Sequence, residues 1–119
     1  MGCALVEVGL FNTTATAVAV KLQRLTTAGT QGAGLAEAPH DPSAAAAACT
    51  AFTTHSGTPP SLGADLGYRA TLGAAIGSGV IWTFGDKGIR LTPGTANGVG
   101  VLIENGTGQA LQAYICWDE

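Results

Sequence analysis

Apolar and polar residues alternate along the second half of the chain in short runs that glycine-rich turns separate. Residues 80–84 form an aromatic and β-branched run between two glycine turns, which is typical of a strand. The Pro-Gly and Asn-Gly dipeptides within residues 92–98 then predict a loop.

Two longer runs near the C-terminus predict a β-hairpin. Residues 99–104 and 109–117 are extended candidates on either side of Asn105-Gly106-Thr107-Gly108, a hairpin-turn sequence. Side chains alternate between the two faces of a strand. In the second run one face therefore holds Leu111, Ala113, Ile115 and Trp117, and the other holds Gln112, Tyr114 and Cys116.

The first half of the chain has the same texture with less contrast. Residues 4–11 and 16–25 flank a polar turn and predict two antiparallel strands, and residues 66–76 are a further extended candidate. The exception is the five-alanine run at residues 44–48. Because Asp41 can cap a helix and Pro42 suits a first helical position, one short helix is expected near residues 42–49.

Seven or eight short strands in a chain of 119 residues indicate an all-β fold. We expect residues 1–119 to form a single domain, a jelly-roll-like antiparallel β-sandwich with Greek-key or jelly-roll connections.

Charge is the compositional feature that changes this picture most. Only 11% of the residues are charged, against about 25% in ordinary soluble domains. The net charge of −3 leaves no basic field for nucleic acid or anionic membranes, and the polar interruptions argue against a membrane span. With no export signal in the opening residues, we expect synthesis in the cytoplasm.

Candidate chemistry is sparse. Cys3, Cys49 and Cys116 are widely spaced, so a disulfide framework is not expected and the three are interpreted as buried small apolar groups. His40 and His55 lack metal-ligand spacing, and no nucleophile motif or phosphate loop is present. We therefore expect no active site, no metal and no cofactor.

Two reservations apply to that expectation. Loops at the end of a sandwich would be able to bring His40, Asp41, His55 and Asp65 together. Asp118 and Glu119 could pair for acid–base work, although carboxylates at a chain end are usually solvated.

Seven residues are candidates for a subunit or capsid interface. The four aromatic candidates either pack in the core or form a sugar-stacking platform or an interface anchor. The three cations are either solvated or pair with a carboxylate of a neighbouring subunit. The set is Arg69, Trp82, Phe84, Lys87, Arg90, Tyr114 and Trp117.

Residues 77–91, the loop at 93–98 and the ending Trp117-Asp118-Glu119 resemble the small auxiliary virion proteins of tailed bacteriophages. The resemblance implies a jelly-roll-like sandwich that trimerises on the outer capsid surface as a cement or decoration protein, with the major capsid protein as its partner. It implies no catalytic residue. The alanine run and the cysteines have no counterpart in that pattern.

A surface poor in charge and rich in small residues independently favours assembly with other protein surfaces. We expect a homo-oligomer, with a trimer as the leading form. The alternatives are a glycan- or receptor-binding knob of a phage fibre or spike, and then a small enzyme.

Overall fold

The computed structural model describes residues 2–94, 96–105 and 110–119, and these residues form nine strands. The strands are β1 (Cys3–Asn12), β2 (Val18–Leu25), β3 (Gly34–Leu35), β4 (Ala51–Phe52), β5 (Leu62–Leu72), β6 (Gly79–Thr83), β7 (Ile89–Leu91), β8 (Gly98–Asn105) and β9 (Leu111–Asp118). The described residues contain no helix, so the fold is all-β, as the sequence predicted.

Two antiparallel sheets form the body of the molecule. In the first sheet, β1 pairs with β9 on one side and with β6 and β7 on the other. β6 pairs with residues 7–11 of β1 and β7 with residues 3–5, so together they form one edge that residues 84–88 interrupt. The second sheet has the order β5-β2-β8.

The alternation of side chains along the strands is confirmed by the register. Leu10, Val8 and Leu5 of β1 are buried, and their direct partners on β9 are Ala113, Ile115 and Trp117. Directly paired residues lie on the same side of a sheet. These β9 residues therefore belong to the inner face, as the pattern of the sequence indicated.

The predicted pairing of neighbouring strands is wrong. β8 pairs with β2 and β9 pairs with β1, so the expected hairpin partners lie in opposite sheets, as do β1 and β2. The expected turn residues Gly106, Thr107 and Gly108 lie outside the described residues. Alternation determines which face of a strand is buried, but a partner strand in either sheet satisfies that requirement.

One hydrophobic core lies between the two sheets. It combines buried residues from both: Leu5, Val8, Leu10, Trp82 and Ile89 from the first sheet and Val18, Val20, Leu22 and Leu72 from the second. This is the arrangement of a β-sandwich. The jelly-roll connections stay a prediction, since the two sheets hold seven strands in the described residues, where a jelly roll has eight.

Residues 26–61, here called the arm, leave the end of β2 and return to the start of β5. β3 pairs with β4, and the ladder is extended by the bridge between Gln31 and His55 and by the bond from Thr30 N to Thr58 O, 2.9 Å. Residues 33–46 are all exposed. The arm is therefore a two-stranded excursion outside the core.

The helix expected near residues 42–49 is absent, and this prediction is wrong. The Asp41 carboxylate does accept bonds from the backbone N and the hydroxyl of Ser43, at 2.9 and 2.7 Å, which makes a turn. A five-residue alanine run is too short to hold a helix without packing, and this run is mostly exposed.

Candidate interaction site

The sandwich is closed on the side where β5 and β6 lie, and aromatic rings make the closure. Tyr68 of β5 packs edge-to-face on Phe84, with ring centroids 4.9 Å apart, and lies 6.3 Å from the ring of Trp82. Trp82 is only 8% exposed. Two of the four predicted aromatic candidates, Trp82 and Phe84, therefore pack within the fold, which is the structural interpretation weighed for them.

The opposite side, formed by β8 and β9, is open. Val101 and Ile103 of β8 pair with the buried Leu22 and Val20, and so lie on the inner face. They are nevertheless 36% and 40% exposed, and Ile115, the inner-face partner of Val8 on β9, is also 40% exposed. The inner faces of these two strands line a cleft that reaches the core residues Val8, Leu10 and Leu22, and arm residues 35–40 and 44–55 also line it.

Both strands that border the cleft have outer edges that no strand pairs with in the described part of the chain. Soluble proteins guard such edges with charges, bulges or interruptions. β8 carries one charge, Glu104, and β9 carries one, Asp118, each within the last two residues of its strand. The central stretches of both edges are uncharged.

The edges on the closed side are guarded in the usual ways. β5 carries Asp65 and Arg69, pairs irregularly with β2, and has Gly67 in the left-handed region at φ 84°. The β6–β7 edge is interrupted at residues 84–88. The open side is therefore the exposed β-edge surface most suited to pairing with another chain.

The tip of the arm is fastened to the first sheet by a disulfide. Cys3, buried at the start of β1, is bonded to Cys49 of the arm, with the Cα atoms 6.6 Å apart. The sequence interpretation of these two residues as unbonded apolar groups is wrong. Their separation of 46 residues gave no sign of a pair. Cys116 is the free cysteine, half-buried on the outer face of β9.

Glu119 makes a second fastening at the same place. Its carboxylate accepts bonds from the backbone N atoms of Ala48 and Cys49, at 2.9 and 2.8 Å, and from Trp117 Nε1 at 3.0 Å. The two backbone bonds and then the indole bond lower the pKa of Glu119 below its ordinary range. Glu119 is thus a structural anchor for the arm, and Trp117 helps to orient it.

The candidate cations have different environments. Arg69 pairs within the chain with Asp65 and, at 3.5 Å, with Glu104. Lys87 and Arg90 are exposed at the rim of a cavity of about 200 Å³. The other charged residues that line this cavity are Asp86, Asp118 and Glu119.

Tyr114 lies on the outer face of the first sheet. Its ring covers Gly9, where a Cβ atom would overlap the ring, and it stacks against Phe11 with centroids 6.4 Å apart. Its hydroxyl donates to Glu7 Oε2 at 2.8 Å, and this bond raises the pKa of Tyr114. With Ile81, the partner of Gly9 on β6 and 53% exposed, these residues form a small apolar outer patch.

The histidines and acidic residues weighed as a converging centre do not form a metal-binding group in residues 2–94, 96–105 and 110–119. His55 pairs with Gln31 in the arm ladder, His40 and Asp41 lie in the exposed arm loop, and Asp65 belongs to the ion pairs of the second sheet. The described ranges also contain no helix that is long and apolar enough to cross a membrane.

No protein-family model, no curated protein sequence and no solved structure matches this chain. Sequence reasoning missed the open side and the arm anchor. The signal for the open side was present, because residues 98–103 and 110–117 carry no charge.

Proposed function

We propose that this chain is a structural virion protein: a capsid cement or decoration protein that binds the major capsid protein on the outer capsid surface as a homotrimer. The observation that carries the proposal is the open side, where two uncharged strand edges flank an exposed apolar cleft. Such a surface is favourable when it is covered by protein and promotes aggregation when it is not.

The proposal contains no catalytic step, metal or organic cofactor. A trimer presents each of its capsid contacts three times, so contacts of modest strength add up to firm attachment. The disulfide and the Glu119 anchor support a mechanical role, since they hold an exposed arm of 36 residues, 26–61, against the sandwich.

A glycan- or receptor-binding knob is the second candidate, and the outer patch is the observation that favours it. Tyr114 is 36% exposed on the outer face of the first sheet, beside Phe11 and Ile81. An exposed ring of this kind can stack on a sugar. The patch is small and holds few polar groups for sugar hydroxyls, so we place this function second.

Copy number tests the first proposal against the second. Quantitative mass spectrometry of purified particles that contain this chain should find hundreds of copies per particle if it decorates the capsid. A few copies per particle would contradict decoration and favour a knob. Particles that lack the chain should also lose their genome at a lower temperature than complete particles.

A matched pair of variants tests the knob directly. Tyr114→Ala removes the ring and Tyr114→Phe removes only the hydroxyl that donates to Glu7. On a glycan array, a knob would lose binding in the first variant and retain most of it in the second. Absence of glycan binding by the unmodified chain would contradict the knob.

A further inference from the structure

We propose that β8 of one copy pairs edge to edge with β9 of a second copy, so that the open sides of the copies close each other. This inference rests on the proposed oligomer and deepens it by naming the surface that joins the subunits. The partner is a second copy of this chain.

The two edges are matched in length and in character. β8 and β9 each contain eight residues, each has an unpaired outer edge in the described part of the chain, and each is uncharged along its centre. Paired edge strands bring their backbone N–H and C=O groups together, which satisfies groups that otherwise face solvent.

The inner faces of the two strands explain why the partner is another copy. Val101 and Ile103 on the inner face of β8 expose apolar surface to solvent, and Ile115 on the inner face of β9 does the same. An apolar surface from another copy would cover all three. Joining β8 to β9 of the next copy merges a β5-β2-β8 sheet with a β9-β1-β6 sheet into six strands. The exposed inner residues of both copies then lie on one face of that joined sheet.

Each copy carries one edge of each kind, so the junction is head-to-tail and a ring of copies leaves neither edge unpaired. Head-to-tail contacts form rings when the rotation closes. The one acid near the end of β8 does not oppose the junction, because Glu104 already pairs with Lys21 and Arg69, both at 3.5 Å. A capsid strand on either edge would leave the other edge exposed.

Two lysine variants, each of which blocks one edge, test the junction. Ile103→Lys places a charge on the inner face of β8 and Ile115→Lys on that of β9; inward-pointing lysines prevent edge pairing. Both sites are 40% exposed, so a lysine ammonium can reach water without unfolding the chain. Light scattering should give the 11.8 kDa monomer for each variant alone.

Mixing the two variants is the decisive measurement. The intact β8 of the Ile115→Lys chain can still pair with the intact β9 of the Ile103→Lys chain, so the mixture should contain a dimer of one copy of each. Pairing of β8 with β8, or of β9 with β9, would instead leave one variant assembled on its own and give no new species on mixing. Either of those outcomes overturns the junction.

Ile81→Lys is the matched control, because Ile81 is an exposed isoleucine on the outer face of β6. It should retain the mass of the unmodified chain, and circular dichroism should show that all three variants fold. Assembled Ile103→Lys and Ile115→Lys chains would overturn the inference. An unmodified chain that is monomeric yet abundant on particles would overturn the junction and leave the capsid function in place. An assembled chain that is absent from capsids would contradict the capsid function and leave the junction in place.

Discussion

The two sides of this sandwich are built from similar strands, but one side is sealed by side chains and the other is open. On the closed side, Tyr68 reaches between the sheets and packs on Phe84 and Trp82. On the open side, the corresponding positions of β8 and β9 hold aliphatic residues that are all exposed: Val101, Ile103, Ala113 and Ile115. The difference in side-chain size at the two sheet margins thus explains why one side of this sandwich is sealed and the other is open.

The charges follow the same division. The outer face of the second sheet carries a network in which Lys21 and Arg69 each contact Asp65 and Glu104. Three of these four residues lie on β2 and β5, toward the closed side. Exposed ion pairs contribute little stability, and charges on an edge strand such as β5 oppose its pairing with another chain.

The largest expected effect comes from removing the aromatic closure. Trp82→Ala should lower the free energy of unfolding by about 3–5 kcal/mol, because it leaves a cavity in the core. Ile115→Ala on the open side should lower it by about 1 kcal/mol, since much of that side chain is already in water. Urea unfolding at low protein concentration measures both, and equal losses would contradict the difference between the two sides.

Opening the disulfide should have the next largest effect. Reduction by dithiothreitol converts the Cys3–Cys49 bond to two thiols while the reagent becomes its cyclic disulfide. A bond that closes a loop of this length stabilises a fold by about 2–4 kcal/mol. We expect a Cys49→Ser chain to show that loss and faster proteolysis within residues 33–46, with Cys116→Ser as the control that changes neither.

Replacing Asn12, the last residue of β1, should have the third largest effect on stability. Its side chain donates to Thr16 O and Gly73 O, at 2.7 and 3.0 Å, and its Oδ1 accepts from Thr14 N at 2.9 Å. Because Asn12 is 1% exposed, Asn12→Ala removes a buried side chain together with its bonds to Thr16 O, Gly73 O and Thr14 N, and should cost about 2 kcal/mol.

Asn97 provides the comparison for this prediction. Its Nδ2 donates to Pro93 O at 3.2 Å, and this bond is exposed. Asn97→Ala should change the free energy of unfolding by less than about 0.5 kcal/mol. Thermal unfolding compares the two variants. Equal unfolding midpoints would contradict the stabilising role of the buried Asn12 bonds.

The sequence was most informative where a local pattern sets the structure. Period-two alternation placed Leu111, Ala113, Ile115 and Trp117 on one face, and the register confirms it. It did not identify strand partners, because β1 lies beside β9, about 100 residues away, and only the whole fold selects that pair. The Cys3–Cys49 bond was missed for the same reason, since a separation of 46 residues leaves no local trace.

The smallest effect concerns the arm anchor at low pH. The folded pKa of Glu119 is lowered by its bonds to the backbone N atoms of Ala48 and Cys49, so folding favours the carboxylate. The anchor therefore stabilises the arm fully above the ordinary glutamate pKa of about 4.3, and this stabilisation is lost as the pH falls through the lowered value.

Amide hydrogen exchange at Ala48 and Cys49 measures this loss, and the Cys49→Ser chain makes it visible without the disulfide. Exchange, corrected for its intrinsic pH dependence, should accelerate as the pH is lowered below about 4. A Glu119→Gln chain should show weak protection at every pH, because a neutral amide is a poorer acceptor for the same donors. Asp118→Asn is the matched control at the neighbouring carboxylate and should retain the full pH dependence; if it abolished that dependence, the anchor would not be Glu119.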